Sequence, residues 1–227
     1  MLAVLKKEFK SYFLSPVGYV VIGIFLFVFS VFFYLTTIQY GSIDLGLLYY
    51  YTALYGLIII APILTMRMFA EERKSGTEQL ILTSPVNMIG VVIGKFLAAM
   101  CVIAITLVIS LMYFGIIRYF GKPNISAVLV YMLGFILVSA AAISVGMFAS
   151  SITENQIIAG IITIAFLVMT LFMQNLNSIF ANASIMNFYE KFSSGVISLS
   201  EVVGLVSFTL MFLSFTAIVM QRRKLVK

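Results

Sequence analysis

The sequence predicts an all-α polytopic membrane protein. It should have six transmembrane helices, an N-terminal amphipathic helix on the membrane interface, a short cytoplasmic helix after span two and an amphipathic outer segment before span six. Three observations carry this. Of 227 residues, 63% are hydrophobic and 10% charged, with a mean hydropathy of +1.15, beyond what a soluble core of this size needs. Five uncharged stretches, 11–43, 45–66, 96–117, 123–153 and 202–221, are each long enough to cross the hydrocarbon layer, which takes ~20 residues of helix. A sixth gap, 155–189, opens as the apolar run IIAGIITIAFLVMTLFM and turns polar from Gln174.

The chain opens with Leu2, Leu5, Phe9 and Phe13 at helical spacing and Lys6, Lys7 and Lys10 between them. Residues 1–15 are therefore expected as a helix along the inner membrane surface, with its lysines on anionic headgroups, either as a topology anchor or as a mechanical part. Pro16, welcome at a helix start and disruptive further in, separates it from span one. The apolar run that follows is too long for the core of a cleavable leader and carries no small-residue cleavage site, so none is expected.

Spans are expected near 17–38, 47–66, 96–117, 127–149, 157–174 and 203–220. With the N-terminus inside, the cytoplasmic pieces hold Lys6, Lys7, Lys10, Arg67, Arg73, Lys74, Lys95, Arg222, Arg223, Lys224 and Lys227, against Arg118, Lys122 and Lys191 outside. That bias puts both termini in the cytoplasm. It also accounts for the net charge of +6 as topology, and because the basic residues are split among separate loops no nucleic-acid partner is expected; the lipid bilayer is the partner composition demands. Pro62 should bend span two near its inner end. Gly90, Gly94 and Ala98 make a small-xxx-small face on span three, and SAAAISVGMFASS crowds span four with small residues; both read as close helix contacts. Cys101, the single cysteine, reads as packing. Residues 175–202 alternate Ile185, Phe188, Tyr189, Phe192, Val196 and Leu199 with Asn187, Glu190, Lys191 and Ser194, which suits an amphipathic helix or re-entrant pair at the outer interface. The sequon at Asn182 reads as a chance match.

The stretch FAEERKSGTEQLILTSPVNM, residues 69–88, stands apart. Six charges fall between Arg67 and Glu78, and burying them in the bilayer would cost roughly 15 kcal/mol or more. They must lie in the cytoplasm. Ser75-Gly76-Thr77-Glu78 matches a capping box, and Ser84 can cap, with Pro85 opening the next helix. A helix of about two turns over 76–83 is expected, fenced at both ends.

The run from Met66 to Pro85, followed by Gly94-Lys95-Phe96-Leu97-Ala98, resembles the first cytoplasmic loop of ABC-2 type transporter permeases, most of all the gliding-motility-associated and multidrug-type bacterial ones. Leu5-Lys6-Lys7-Glu8 and Ser15-Pro16-Val17-Gly18-Tyr19 resemble the same branch, and the likeness covers 1–227 as one ABC-2 transmembrane domain. It implies a coupling helix, Gly76 to Leu82, with Thr77, Glu78, Leu80 and Leu82 on it, seated in a cleft of a separate ABC ATPase, and ATPase contacts from Glu71, Glu72 and Arg73. It implies a coupling loop over 67–95 and an extracytoplasmic gate at 175–202. It further implies two ATPase copies, a second permease identical or related, and a multi-pass location in the cytoplasmic membrane of a prokaryote. ATP and Mg would sit in the partner ATPase, with no cofactor on this chain.

Exclusions agree. No G-x-x-x-x-G-K-[ST] run is present for ATP phosphates, so the chain is not expected to be an enzyme. The span interiors carry no ionisable residue, which disfavours an ion-driven carrier, although backbone-coordinated sodium stays compatible. Without histidine, Ser-His hydrolysis and H-E-x-x-H metal chemistry are out; no metal site is expected. Thirteen Met and 21 Phe either line an adaptable route or face lipid. The expected function is export of a lipid-like, amphiphilic or drug-like substrate on ATP hydrolysed elsewhere. The alternative is a non-transporting scaffold or mechanotransmission subunit driven by the same kind of ATPase. An intramembrane lipid enzyme is disfavoured, because carboxylates such as Glu154, Glu190 and Glu201 do not cluster in sequence.

Overall fold

The computed structural model describes residues 1–41, 43–83, 87–173 and 184–225. Helix α1, Leu2–Leu14, buries none of its residues fully. It stops where Ser15 turns extended (φ −91°, ψ 157°), the conformation that a following proline imposes. Pro16 is then the N-cap of α2, Val17–Phe32, which runs on through a π-helical turn, Phe33–Ile38. Span two is assembled from α3, Gly46–Tyr51, a π-helical stretch Thr52–Gly56, and α4, Leu57–Thr65. It ends three residues after Pro62. Beyond a turn come two short helices, α5 (Ala70–Lys74) and α6 (Glu78–Thr83).

The long elements follow. Helix α7, Met88–Phe120, is capped by the Asn87 side chain, which accepts the Ile89 N–H at 3.0 Å. The expected cap at Ser84 and start at Pro85 lie outside the described residues. The 33 residues of α7 span ~50 Å, more than the ~30 Å of the hydrocarbon layer. Helices α8 (Ile125–Ile152), α9 (Gln156–Met173), α10 (Ile185–Ser193) and α11 (Leu199–Leu225) complete the chain. Among the described residues there is no strand, and five helical segments are long and apolar enough to cross a membrane; the apolar stretch Gln156–Phe172 is shorter.

Helix α8 is the central post, packed by α4, α7, α9, α10 and α11. Its small residues are where neighbours close in: a Cβ on Gly146 would overlap the Thr65 hydroxyl of α4 and come within 3.1 Å of Thr163 on α9. The small face of α7 receives α1, with a Cβ on Gly94 falling 3.1 Å from Val4. Toward the other end, Phe25, Phe29, Tyr49 and Phe135 pack edge to face or stacked, with centroids 5.3–6.4 Å apart.

Helix α10 has the expected two-sided pattern, with Glu190 and Lys191 exposed, and its apolar side packs into the bundle. Ile185, Met186, Tyr189 and Phe192 are all buried, whereas Val196 and Leu199 are exposed. The helical period breaks because Gly195 takes φ +78°, ending the element. Three glycines make the seat: a Cβ on Gly46 would overlap the Ser193 carbonyl, one on Gly134 would lie 2.5 Å from Phe192, and one on Gly204 2.7 Å from Phe188. Lys191 pairs with Glu201 at the start of α11. Residues 175–183 of the expected gate, with the Asn182 sequon, lie outside the described residues.

Two alanine substitutions should therefore move stability in opposite directions. Gly134→Ala should lower the thermal midpoint in detergent by displacing Phe192, whereas Gly115→Ala, where nothing stands within 4 Å, should raise stability by up to about 1 kcal/mol through helix propensity.

Candidate functional site

The α4–α5 corner is where the charged stretch meets the bundle. Ending α4 at Thr65 orphans its last carbonyls, and the packing supplies donors. The Tyr12 hydroxyl of α1 donates to the Leu64 carbonyl at 3.0 Å, and burial raises its pKa, so it stays a donor. From α8, the buried Ser150 hydroxyl accepts the Phe69 and Ala70 N–H groups, both at 3.1 Å, and donates to the Met66 carbonyl at 3.2 Å. Ser150 thus does for α5, from another helix, what an N-cap side chain does locally.

Lys95, one turn below Val91 on α7, is 1% exposed. Its ammonium donates to Glu8 Oε1 of α1 at 3.0 Å, to the Met68 carbonyl at 2.9 Å and to Glu72 Oε1 of α5 at 2.8 Å. The Phe69 ring lies beneath it, 5.4 Å to the centroid. Three N–H groups meet three acceptors, the full complement of an ammonium. One lysine therefore ties α1, the charged loop and α7 together. Burial pushes the Glu72 carboxyl above its ordinary value, against the pull of Lys95. Its neighbour Glu71 is held low by a two-point bond to Arg67, at 2.7 and 2.8 Å.

A second set of ion pairs suspends α6. Glu78 faces Arg223 of α11 at 3.1 Å and Arg73 at 4.0 Å. Arg73 reaches Glu154, between α8 and α9, at 2.8 Å and the Ile152 carbonyl at 3.2 Å, while Arg223 also donates to the Ser151 carbonyl. Leu80 projects outward, 72% exposed.

The expected capping box does not form. Gly76 adopts φ +73° and its N–H bonds back to the Arg73 carbonyl at 3.1 Å, a left-handed close to α5 of the kind glycine favours. Ser75 becomes the C-cap of α5, its hydroxyl donating to the Glu72 carbonyl at 3.2 Å and lying 2.9 Å from Thr77 Oγ1. Glu78, drawn to Arg223, does not reach back to Ser75. The short helix accordingly starts at Glu78 rather than 76. Glu71, Glu72, Arg73 and Glu78 all hold partners within the chain, and Leu82 is described only by its backbone.

Sequence reasoning gave Glu8, Ser150, Glu154 and Arg223 no role at this corner, and used Lys95 for topology and in the family-like run without expecting its burial. A lone acid in a basic N-terminal segment and a lysine at the mouth of an apolar span were the available signals. Residues 38–191 match a family model described as ABC-2 family transporter protein. No curated protein matches the sequence.

Lys95→Met should leave Glu8 and Glu72 facing each other without their cation and cost about 3 kcal/mol in detergent unfolding. Adding Glu8→Gln and Glu72→Gln should recover most of that loss.

Proposed function

The chain belongs to the ABC-2 transporter family, and on that premise we propose that it is the permease subunit of an ATP-driven exporter whose energy comes from a separate ABC ATPase. ATP and Mg are assigned to that partner, in two copies under two permeases, identical or related. Helix α9 serves as a sixth span, both termini face the cytoplasm, and the membrane is the cytoplasmic membrane of a prokaryote. Cargo is a lipid-like, amphiphilic or drug-like molecule.

The observation that carries this reading is the suspension of α6. It is a short helix bearing an exposed leucine; its Glu78 pairs with Arg223 of α11 and lies 4.0 Å from Arg73 of α5, and α5 in turn is tied through Arg73 and Glu72 to the α8–α9 junction, α7 and α1. Push it, and the force passes through Glu78 and Arg223 to α11, through Arg73 to the α8–α9 junction, and through Glu72 and Lys95 to α7 and α1. Rigid elements joined at such points convert a small local displacement into a change of helix packing. Helix α10, wedged among glycines at the opposite end, is the element such a change would release, and it is assigned as the gate.

Gly76→Pro cannot keep φ +73° and should uncouple α6 from α5. It should lower ATPase stimulation severalfold in a reconstituted complex while the chain still inserts. Leu80→Asp should reduce recovery of the ATPase with a tagged permease. Normal stimulation and recovery with both variants would count against coupling. Stimulation without uphill movement of labelled cargo in sealed vesicles would favour force transmission over export.

A further inference from the structure

A cavity of about 280 Å³ lies between α1 and the α4–α5 corner, and force transfer through the ion pairs does not need it. Its volume is just under the ~300–1,000 Å³ of small-molecule pockets: room for a polar headgroup, too little for a whole amphiphile. The lining is graded. Val17, Ile63 and Leu64 wall it from the ends of α2 and α4, while the rest, Met68 apart, is polar and includes Lys7, Arg67 and Lys95 against Glu8, Glu71 and Glu72. With three charges of each sign, neither a simple anion nor a simple cation is matched.

The partners of those charges sharpen the chemistry. Lys95 uses all three N–H groups and takes only Oε1 from Glu8 and from Glu72. Both carboxylates line the cavity with 16% and 15% exposure, so acceptor capacity is left on it. On the cationic side, Arg67 commits Nε and Nη2 to Glu71, two of a guanidinium's five donors. Lys7 is 72% exposed and 4.0 Å from its nearest carboxylate. Donors for a phosphate therefore stand beside acceptors for a hydrogen-bonding ammonium, at the edge of an apolar wall.

The geometry points to a binding site for a phosphoethanolamine headgroup, its phosphate on Arg67 and Lys7 and its primary ammonium on Glu8 and Glu72, with any acyl chains leaving along Val17, Ile63 and Leu64. A quaternary ammonium has no N–H to give these carboxylates, and a glycerol headgroup has no positive charge. The same chemistry exists in the membrane as phosphatidylethanolamine and in water as glycerophosphoethanolamine. The site shares Glu8 and Glu72 with the proposed coupling path but does not rest on the exporter reading, and its test uses no ATPase.

The full chain in detergent is unfolded thermally, followed by helical circular dichroism, with phosphatidylethanolamine, phosphatidylcholine or phosphatidylglycerol of matched chains, or with glycerophosphoethanolamine. Phosphatidylethanolamine should raise the midpoint by about 5 °C at a hundredfold excess over Kd, and the other two lipids by less than half of that. Arg67→Gln and Lys7→Gln should each shrink the shift, while Lys10→Gln, an exposed α1 lysine off the cavity, should keep it. Should Arg67→Gln fail to fold, Lys7→Gln carries the comparison. A shift from glycerophosphoethanolamine supports the site with the headgroup sufficient. Its absence beside a phosphatidylethanolamine shift supports it with the lipid as source. Equal shifts from the three lipids, a larger one from phosphatidylglycerol, or an undiminished phosphatidylethanolamine shift in Lys7→Gln overturns the proposal.

Discussion

A buried ammonium with three acceptors is the constraint around which the charged end of this protein is organised. Lys95 could not be held at 1% exposure without Glu8, Glu72 and the Met68 carbonyl, because an isolated buried charge costs several kcal/mol. Each partner comes from a different element, so satisfying one side chain fixes where α1 lies, how the chain leaves α4 and how α5 is rotated. An apolar residue would pack there at less electrostatic cost, but it would not specify those three relations together. The same logic extends outward, since Ser150 and Tyr12 satisfy the backbone groups that the α4–α5 corner strands.

The remaining architecture depends on small residues more than on hydrophobic burial. Lipid tails are as apolar as leucine, so helices associate through close packing and hydrogen bonds. Gly94 admits Val4, Gly146 admits Thr65, and Gly46, Gly134 and Gly204 together admit α10. The two ends differ in kind. One combines its glycine contacts with the ion-pair network around Lys95 and Glu78, and the other seats α10 on three glycines with the single pair Lys191–Glu201 beside them.

Much of this was legible in the sequence because it is local. The apolar runs, the break at Ser15-Pro16, the charged loop with a short helix near 76–83 and the small faces of α7 and α8 follow from composition, proline chemistry and residue size. What was not legible depends on residues far apart in the chain. The capping box at Ser75 was a sound local pattern, yet Gly76 closed α5 instead and Arg223, 145 residues away, captured Glu78. The depth of α10 rests on glycines in three other helices, none of which its own periodicity registers. Lys95 looked like a topology signal because its charge is visible in the sequence and its burial is not.

The seat of α1 on α7 carries a consequence for biosynthesis. Val4 packs against Gly94, ninety residues later in the chain. At ~5–20 residues per second, translation leaves the first helix without its partner for roughly 5–20 s. During that wait the elements already made, such as α4 through the Tyr12–Leu64 bond, are its only protein partners. The emergence of Lys95 then gives Glu8 its ammonium partner, so the first helix is pinned to α7 only once that late residue has been made.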